Sequence, residues 1–381
     1  MDSLTIDQLR ARGSLKWTMP PDGAIGSFVA EMDFPMAAPI RAALDRALDR
    51  FATGYLSPGH ARLVAEACAE FQLSRFGWTV DPADVHAMSG VVHVLEFALR
   101  SLLPPGTPLV LPTPTYMPFL TMPAELGVEL RPVPMNLDDG RYTMDLPALR
   151  AALTTDVPAT GALLVLINPH NPTGRVFTAE ELLAVAEVVE HSGATVFSDE
   201  IHAPLVYSGH RHVPYASLSP VTAAHAMTAV SASKGWNLPG LNCAQLILSS
   251  EPHRERWAET SYWAAVGTSP LGAIASSAAY RDGVPHLDAT LAYLDENRRL
   301  FAGELGSALP GARFVPPEGT YLGWVDLRGV ADPATVADRC LVVGTDGTAC
   351  GAPGFLRLNL ATTHALVAET ARRLGRLAGP A

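Results

Sequence analysis

Cysteine is scarce in this chain: four residues, Cys68, Cys243, Cys340 and Cys350, among 381. None belongs to a C-x-x-C pair. The sequence therefore offers neither a zinc-ribbon ligand set nor a disulfide framework, and a reducing cytoplasmic setting is the expectation. Charge is also thin, at 17%, and its balance is acidic: 27 Lys plus Arg stand against 38 Asp plus Glu, a net of −11. A nucleic-acid binder carries a basic patch or stripe, and an anionic membrane surface attracts polybasic segments, so neither partner is expected. No apolar run approaches the ~18 residues of a spanning helix. The longest, Ala162 to Ile167, is the length of a strand. The first residues, which open with Met1 and Asp2, lack the apolar stretch of a secretory signal, so export is not expected.

Hydrophobic residues, at 48%, are plentiful enough for a large core and exclude a disordered chain. The 32 prolines and 31 glycines are spread evenly, so no linker divides the sequence, and no internal repeat is visible. Short apolar runs at Leu109–Leu111, Leu163–Ile167, Thr195–Phe197, Ala229–Ser231 and Gln245–Leu248 read as buried strands. Between them, Thr178–Glu190 reads as a helix capped by Thr178, and Val91–Leu102 as a helix opening after Ser89-Gly90. Strands alternating with helices predict an α/β fold with a mostly parallel sheet covered on both faces. The last third predicts a smaller α+β unit: a helix over about 285–305, a strand at 321–326, a short helix near 333–339, a strand at 355–360 and a helix from Thr363. Residues 1–50 are expected to pack with it or to cross to a neighbouring subunit.

Four segments carry candidate chemistry. Ser231-Ala232-Ser233-Lys234 follows an apolar strand. A lysine buried there loses proton affinity and becomes a usable amine nucleophile, while two serines offer hydroxyls to an anion. The alternative is a lysine in a surface turn. Ser198-Asp199-Glu200-Ile201-His202 ends another strand, where an acid could pair with a cationic ring nitrogen or simply cap the next helix. Asn168-Pro169-His170-Asn171-Pro172-Thr173-Gly174 is a rigid turn with fixed amides, or only a well-made turn. Ser89-Gly90-Val91-Val92 opens a helix whose free N–H groups could hold a phosphate, a weak signal alone. In a doubly wound sheet the strand C-termini converge on one ligand crevice. A lysine, an acid, an amide and an anion-binding helix start meeting there suit pyridoxal phosphate, with its aldehyde, pyridinium, phenolic oxygen and phosphate. His202, His210 and His212 match no metal-ligand spacing, and no metal is expected. Tyr262-Trp263 reads as core or interface, and Cys243 as a small buried apolar residue.

Further segments carry a resemblance along nearly the whole chain: Leu15-Lys16-Trp17, Val29-Ala30-Glu31-Met32-Asp33-Phe34, Pro114-Thr115-Tyr116-Met117-Pro118-Phe119, Pro317-Glu318-Gly319-Thr320-Tyr321 and Leu356-Arg357-Leu358-Asn359. With the four above, they resemble fold-type I pyridoxal-phosphate enzymes of the class I/II aminotransferase superfamily, and within it the MalY/PatB-type carbon–sulfur β-lyases. The resemblance implies a large cofactor-binding domain over 51–284 and a small domain from 1–50 and 285–381. It implies that Lys234 bonds the cofactor and then shuttles protons at Cα. Asp199 would hold the ring nitrogen protonated, Asn171 would donate to the phenolic oxygen, and His202 would stand near that oxygen. Tyr116 would stack on the ring. Gly90, Val91, Val92, Ser231 and Ser233 would bind the phosphate, joined by Tyr55 of a neighbouring subunit in a homodimer. Arg357 would grip the substrate α-carboxylate, with Asn171 beside it. Departures cluster near the substrate space: Asn242 stands where many relatives have Arg or Lys, Lys234-Gly235-Trp236-Asn237 replaces Lys-Thr-Phe-Asn, and Glu31 replaces an Asp. Three activities stay open: β-elimination from a cysteine S-conjugate or cystathionine, transamination or a decarboxylating or oxidative variant in biosynthesis, and a cofactor-binding regulator.

Overall fold

The computed structural model describes residues 4–379. Its main sheet has seven strands, in the order Val85–Met88, Ala244–Leu248, Ala226–Val230, Thr195–Asp199, Leu163–Ile167, Leu109–Thr113 and Leu130–Pro134. All neighbours run parallel except Ala244–Leu248, which is antiparallel to both of its partners. The uninterrupted apolar runs follow from burial of both faces. Leu163, Val165 and Ile167 join one core while Leu164 and Leu166 join the other. Helix Ala179–Ser192 begins where expected, with a reciprocal capping box between Thr178 and Glu181.

Three expectations are corrected. The strand expected at Ala229–Ser231 runs from Ala226 to Val230, so Ser231 already lies in the loop beyond its end. The single helix expected over Val91–Leu102 is α-helical only to Phe97 and widens to a π-turn over Ala98–Leu102. Tyr262 and Trp263 are not core, being 86% and 71% exposed in this chain.

The C-terminal unit has a four-stranded antiparallel sheet, Arg313–Phe314, Leu322–Asp326, Phe355–Asn359 and Thr345–Asp346 in spatial order. The long helix Val284–Ala308 and the last helix His364–Leu374 bury Phe301, Leu305, Val367 and Leu374 against it. The N-terminal stretch divides its allegiance. Ile25–Gly26 pairs with Val342–Val343, and Trp17 and Ile25 pack on Leu366. Helix Ala38–Asp49 instead lies on helix Pro270–Asp282. Among the described residues no helix is long and apolar enough to cross a membrane.

Candidate active site

The sheet delivers its chemistry at the strand ends. Asp199 is the last residue of Thr195–Asp199, Lys234 sits four residues past Ala226–Val230, and Asn171 four past Leu163–Ile167. Between them lies a cavity of about 490 Å³. Gly90, Val91, Val92, Ser231 and Ser233 face it from the large sheet's side, as do Tyr116 and His202. Arg357 reaches it from the small sheet, where its register places it between Trp324 and Thr345. Tyr55 does not line it and is fully exposed.

Each polar group is held for a reason. Lys234 is half-buried, and its Nζ donates to the Ala30 carbonyl at 3.0 Å. Burial, helped by the like charge of Arg357, lowers its pKa to about 8. Asp199 ends its strand without capping a helix, since turn residues follow it; its Oδ1 accepts the Ile201 N–H at 3.1 Å. Burial raises its carboxyl to about 7. Arg357 Nη1 donates to Asn171 Oδ1 at 3.0 Å, which leaves the Asn171 NH₂ as a donor for a ligand. Arg357 Nη2 donates to the Phe28 carbonyl at 2.8 Å and to Thr345 Oγ1 at 3.3 Å. Burial keeps His202 well below its ordinary pKa, so it is a neutral ring. Ser231 donates to the Cys243 carbonyl at 2.7 Å and accepts the Ser233 N–H at 3.1 Å, so an anion would be offered the Ser233 hydroxyl first.

Two turns make this convergence possible. Gly174 closes the Asn-Pro turn at φ +72, where a Cβ would strike Pro317 at 2.3 Å. Asn242, which also lines the cavity, takes the left-handed region at φ 44, a conformation asparagine tolerates well.

The donor set fits pyridoxal phosphate. At the start of helix Val91–Phe97 the first-turn N–H groups have no intrahelical partner, and Gly90 supplies no side-chain cap. On the cavity walls His202 Nδ1 and Arg357 Nε are buried without a protein partner. One amine, one buried carboxylate, one free amide donor and one aromatic face match the groups of that cofactor. Among the described residues no cluster suits a metal ion: His212 is turned onto Glu200 at 3.0 Å. Sequence reasoning missed the wall formed by Phe28, Val29 and Ala30. Only the Val29-to-Phe34 resemblance marked that stretch, because it is irregular backbone with no periodic signal.

Residues 29–374 match the family Aminotransferase class I and II. A cystathionine beta-lyase of Corynebacterium glutamicum is 33% identical over 97% of this chain and 98% of its own length. The cystathionine beta-lyase PatB of Bacillus subtilis is 32% identical over 95% of each. The crystal structure of cystalysin from Treponema denticola, which contains pyridoxal 5'-phosphate, superposes with a TM-score of 0.90 at 25% identity, covering 99% of this chain and 98% of that one. With the match spanning almost the whole sequence and the cavity carrying the complementary groups, the chain belongs to the aminotransferase class I and II family and is a pyridoxal-phosphate-dependent enzyme.

Proposed function

We propose that this enzyme is a carbon–sulfur β-lyase that converts a cysteine S-conjugate or cystathionine-like amino acid to a thiol, pyruvate and ammonia. The likeness to cystathionine beta-lyases supports the reaction class. One observation carries the substrate reading: the charged side chains on the cavity are Asp199, Lys234 and Arg357, and each already has a task. Arg357 grips the substrate α-carboxylate through a charge-assisted fork. Lys234, with its lowered proton affinity, takes the Cα proton and returns one to the product side. Asp199 keeps the ring nitrogen protonated. Bound pyridoxal phosphate supplies the electron sink that makes the Cα proton acidic.

The rest of the wall combines an apolar and aromatic part, including Phe28, Val29, Tyr116, Met117 and Phe119, with uncharged polar groups such as Ser89, Asn242 and Thr345. Among the described residues no further cation lines the cavity for a distal carboxylate, which disfavours dicarboxylic amino acids as substrates. The zwitterionic tail of cystathionine would likewise meet no countercharge from this chain, so an uncharged S-alkyl or S-aryl substituent is the better fit. A panel of S-alkyl cysteine, S-aryl cysteine, cystathionine and aspartate tests this. We expect thiol and pyruvate in equal amounts, with kcat/KM about tenfold higher for the uncharged conjugates than for cystathionine. Pyridoxamine phosphate accumulating without pyruvate, or carbon dioxide release, overturns the lyase reading. A preference for cystathionine overturns only the substrate reading.

The same reading includes a cytoplasmic homodimer. Four free, buried cysteines support a reducing compartment. Exposed Tyr55 supports a neighbouring subunit's site as its place of action.

A further inference from the structure

Glu200 is 1% exposed, yet it does not line the cavity and has no part in the chemistry above. It follows Asp199 directly, and three groups converge on its carboxylate. Ser198 Oγ donates to Oε1 at 2.8 Å, the Tyr215 N–H donates to the same oxygen at 2.9 Å, and His212 Nε2 lies 3.0 Å from Oε2. The protonation of His212 follows from its other side. Asn168 Nδ2 stands 3.5 Å from His212 Nδ1, and the Asn168 amide is oriented by the Phe177 N–H, which donates to its Oδ1 at 3.0 Å. An NH₂ group facing Nδ1 requires a lone pair there, so the ring proton sits on Nε2 and points at Glu200. His212 is thus a third donor to the Glu200 carboxylate. Phe76 packs edge-on against the imidazole with centroids 5.0 Å apart, which keeps the pair dry.

The effect of that charge falls on Asp199. Charges interact strongly where water is excluded. A fixed anion beside Asp199 penalises loss of the proton that Asp199 shares with a ring nitrogen, because the pair would then become a second buried anion. Burial raises the Asp199 carboxyl, and Glu200 adds to the rise. We propose that Glu200 is a positioning residue for the cofactor: its carboxylate, fixed by the donors His212, Ser198 and the Tyr215 backbone, acts through Asp199 to keep the ring nitrogen of pyridoxal phosphate protonated. The inference rests on that cofactor occupying the cavity described above.

Cofactor affinity tests it without recourse to turnover. The protein stripped of cofactor is titrated with pyridoxal phosphate and with its 1-deaza analogue, in which a C–H replaces the ring nitrogen and no proton can be held. Glu200→Gln keeps the side-chain shape and the two donors on Oε1. We expect it to weaken pyridoxal phosphate binding by about tenfold, the equivalent of one unit of proton affinity, and to leave the deaza analogue unchanged. Glu200→Asp retains the charge and should retain the wild-type preference. If the His212 proton facing a new amide prevents folding, the double variant Glu200→Gln/His212→Asn replaces it, since an asparagine carbonyl can accept from that amide; the same selective loss is expected. Equal weakening for both cofactors, or none for either, overturns the proposal. A wild-type protein that binds neither would instead defeat the cofactor reading.

Discussion

Lys234 and Arg357 are the two cations that face the cavity, and each shapes the other. The pKa of about 8 at Lys234 comes first from burial and second from the like charge of Arg357. A cation that loses a like-charged neighbour holds its proton more tightly, so Arg357→Ala must move the Lys234 titration upward. In cofactor-free protein, amine acylation read by peptide mass should label Lys234 with a midpoint near pH 8 in the wild type and at a clearly higher pH in the variant. The same change strips the substrate carboxylate of its partner. Losing one side of a buried charged pair costs ~3–5 kcal/mol, so kcat/KM should fall by about 150- to 5,000-fold on every amino acid turned over. An unchanged midpoint would separate the two residues electrostatically, and an unchanged kcat/KM would remove Arg357 from the carboxylate.

One element, the strap of residues 27–33, joins the two sheets across the cavity, and its carbonyls are held almost entirely by side chains. Arg357 and Thr345 donate to Phe28 O, Asn359 to Val29 O and Glu31 O, Lys234 and Tyr321 to Ala30 O, and Asn237 to Met32 O. At its end the buried Asp33 accepts Lys16 Nζ at 2.9 Å and Trp17 Nε1 at 2.7 Å. Asp33→Ala would leave the Lys16 ammonium buried without its countercharge, a loss of ~3–5 kcal/mol. The expected result is a marked fall in thermal midpoint, with much of it recovered in Lys16→Met/Asp33→Leu, where no charge remains to be paired. A double variant as unstable as the single one would show that geometry rather than charge sets the cost.

This strap also marks how far the sequence could be read. Strand ends are legible because burial on both faces writes continuous apolar runs, and their order brings Asp199, Lys234 and Asn171 to one edge by topology alone. The strap has neither the period of a helix nor that of a strand. Its structure comes from side chains up to 330 residues away, as in the Asn359 amide that donates to Val29 O. The reversed direction of Ala244–Leu248 is equally silent, since an apolar run buried on both faces reads the same either way. Glu200 is silent for a different reason: its partner His212, twelve residues on, reads in the sequence as one of three scattered histidines.

At the scale of the whole molecule, the surface carries several large side chains that a chain working alone would be expected to cover. Phe51 is 87% exposed, Tyr262 86%, Trp263 71% and Val266 57%, and Tyr55 has no shielding at all. The stretch from Tyr262 to Gly267 returns to the cavity's edge, since a Cβ placed on Gly267 would lie 3.6 Å from the Ser89 Cβ. The paired, exposed Tyr262 and Trp263 rings, 4.8 Å apart, suit an interface, and a two-fold contact would bring the same surface of a second copy against them. In the homodimer proposed above, this surface would be buried and the partner's Tyr55 would serve the phosphate site formed by Gly90, Val91 and Val92. Trp263→Asp places a charge in the middle of that contact, and light scattering should then report a single chain mass where the wild type gives twice that. Tyr55→Phe should leave the assembly intact and weaken cofactor binding by about 10- to 150-fold, the worth of one hydrogen bond to a charged group. A wild-type monomer with full activity at assay concentration would refute the shared site, and a Tyr55→Phe protein that binds cofactor as tightly as the wild type would take Tyr55 out of it.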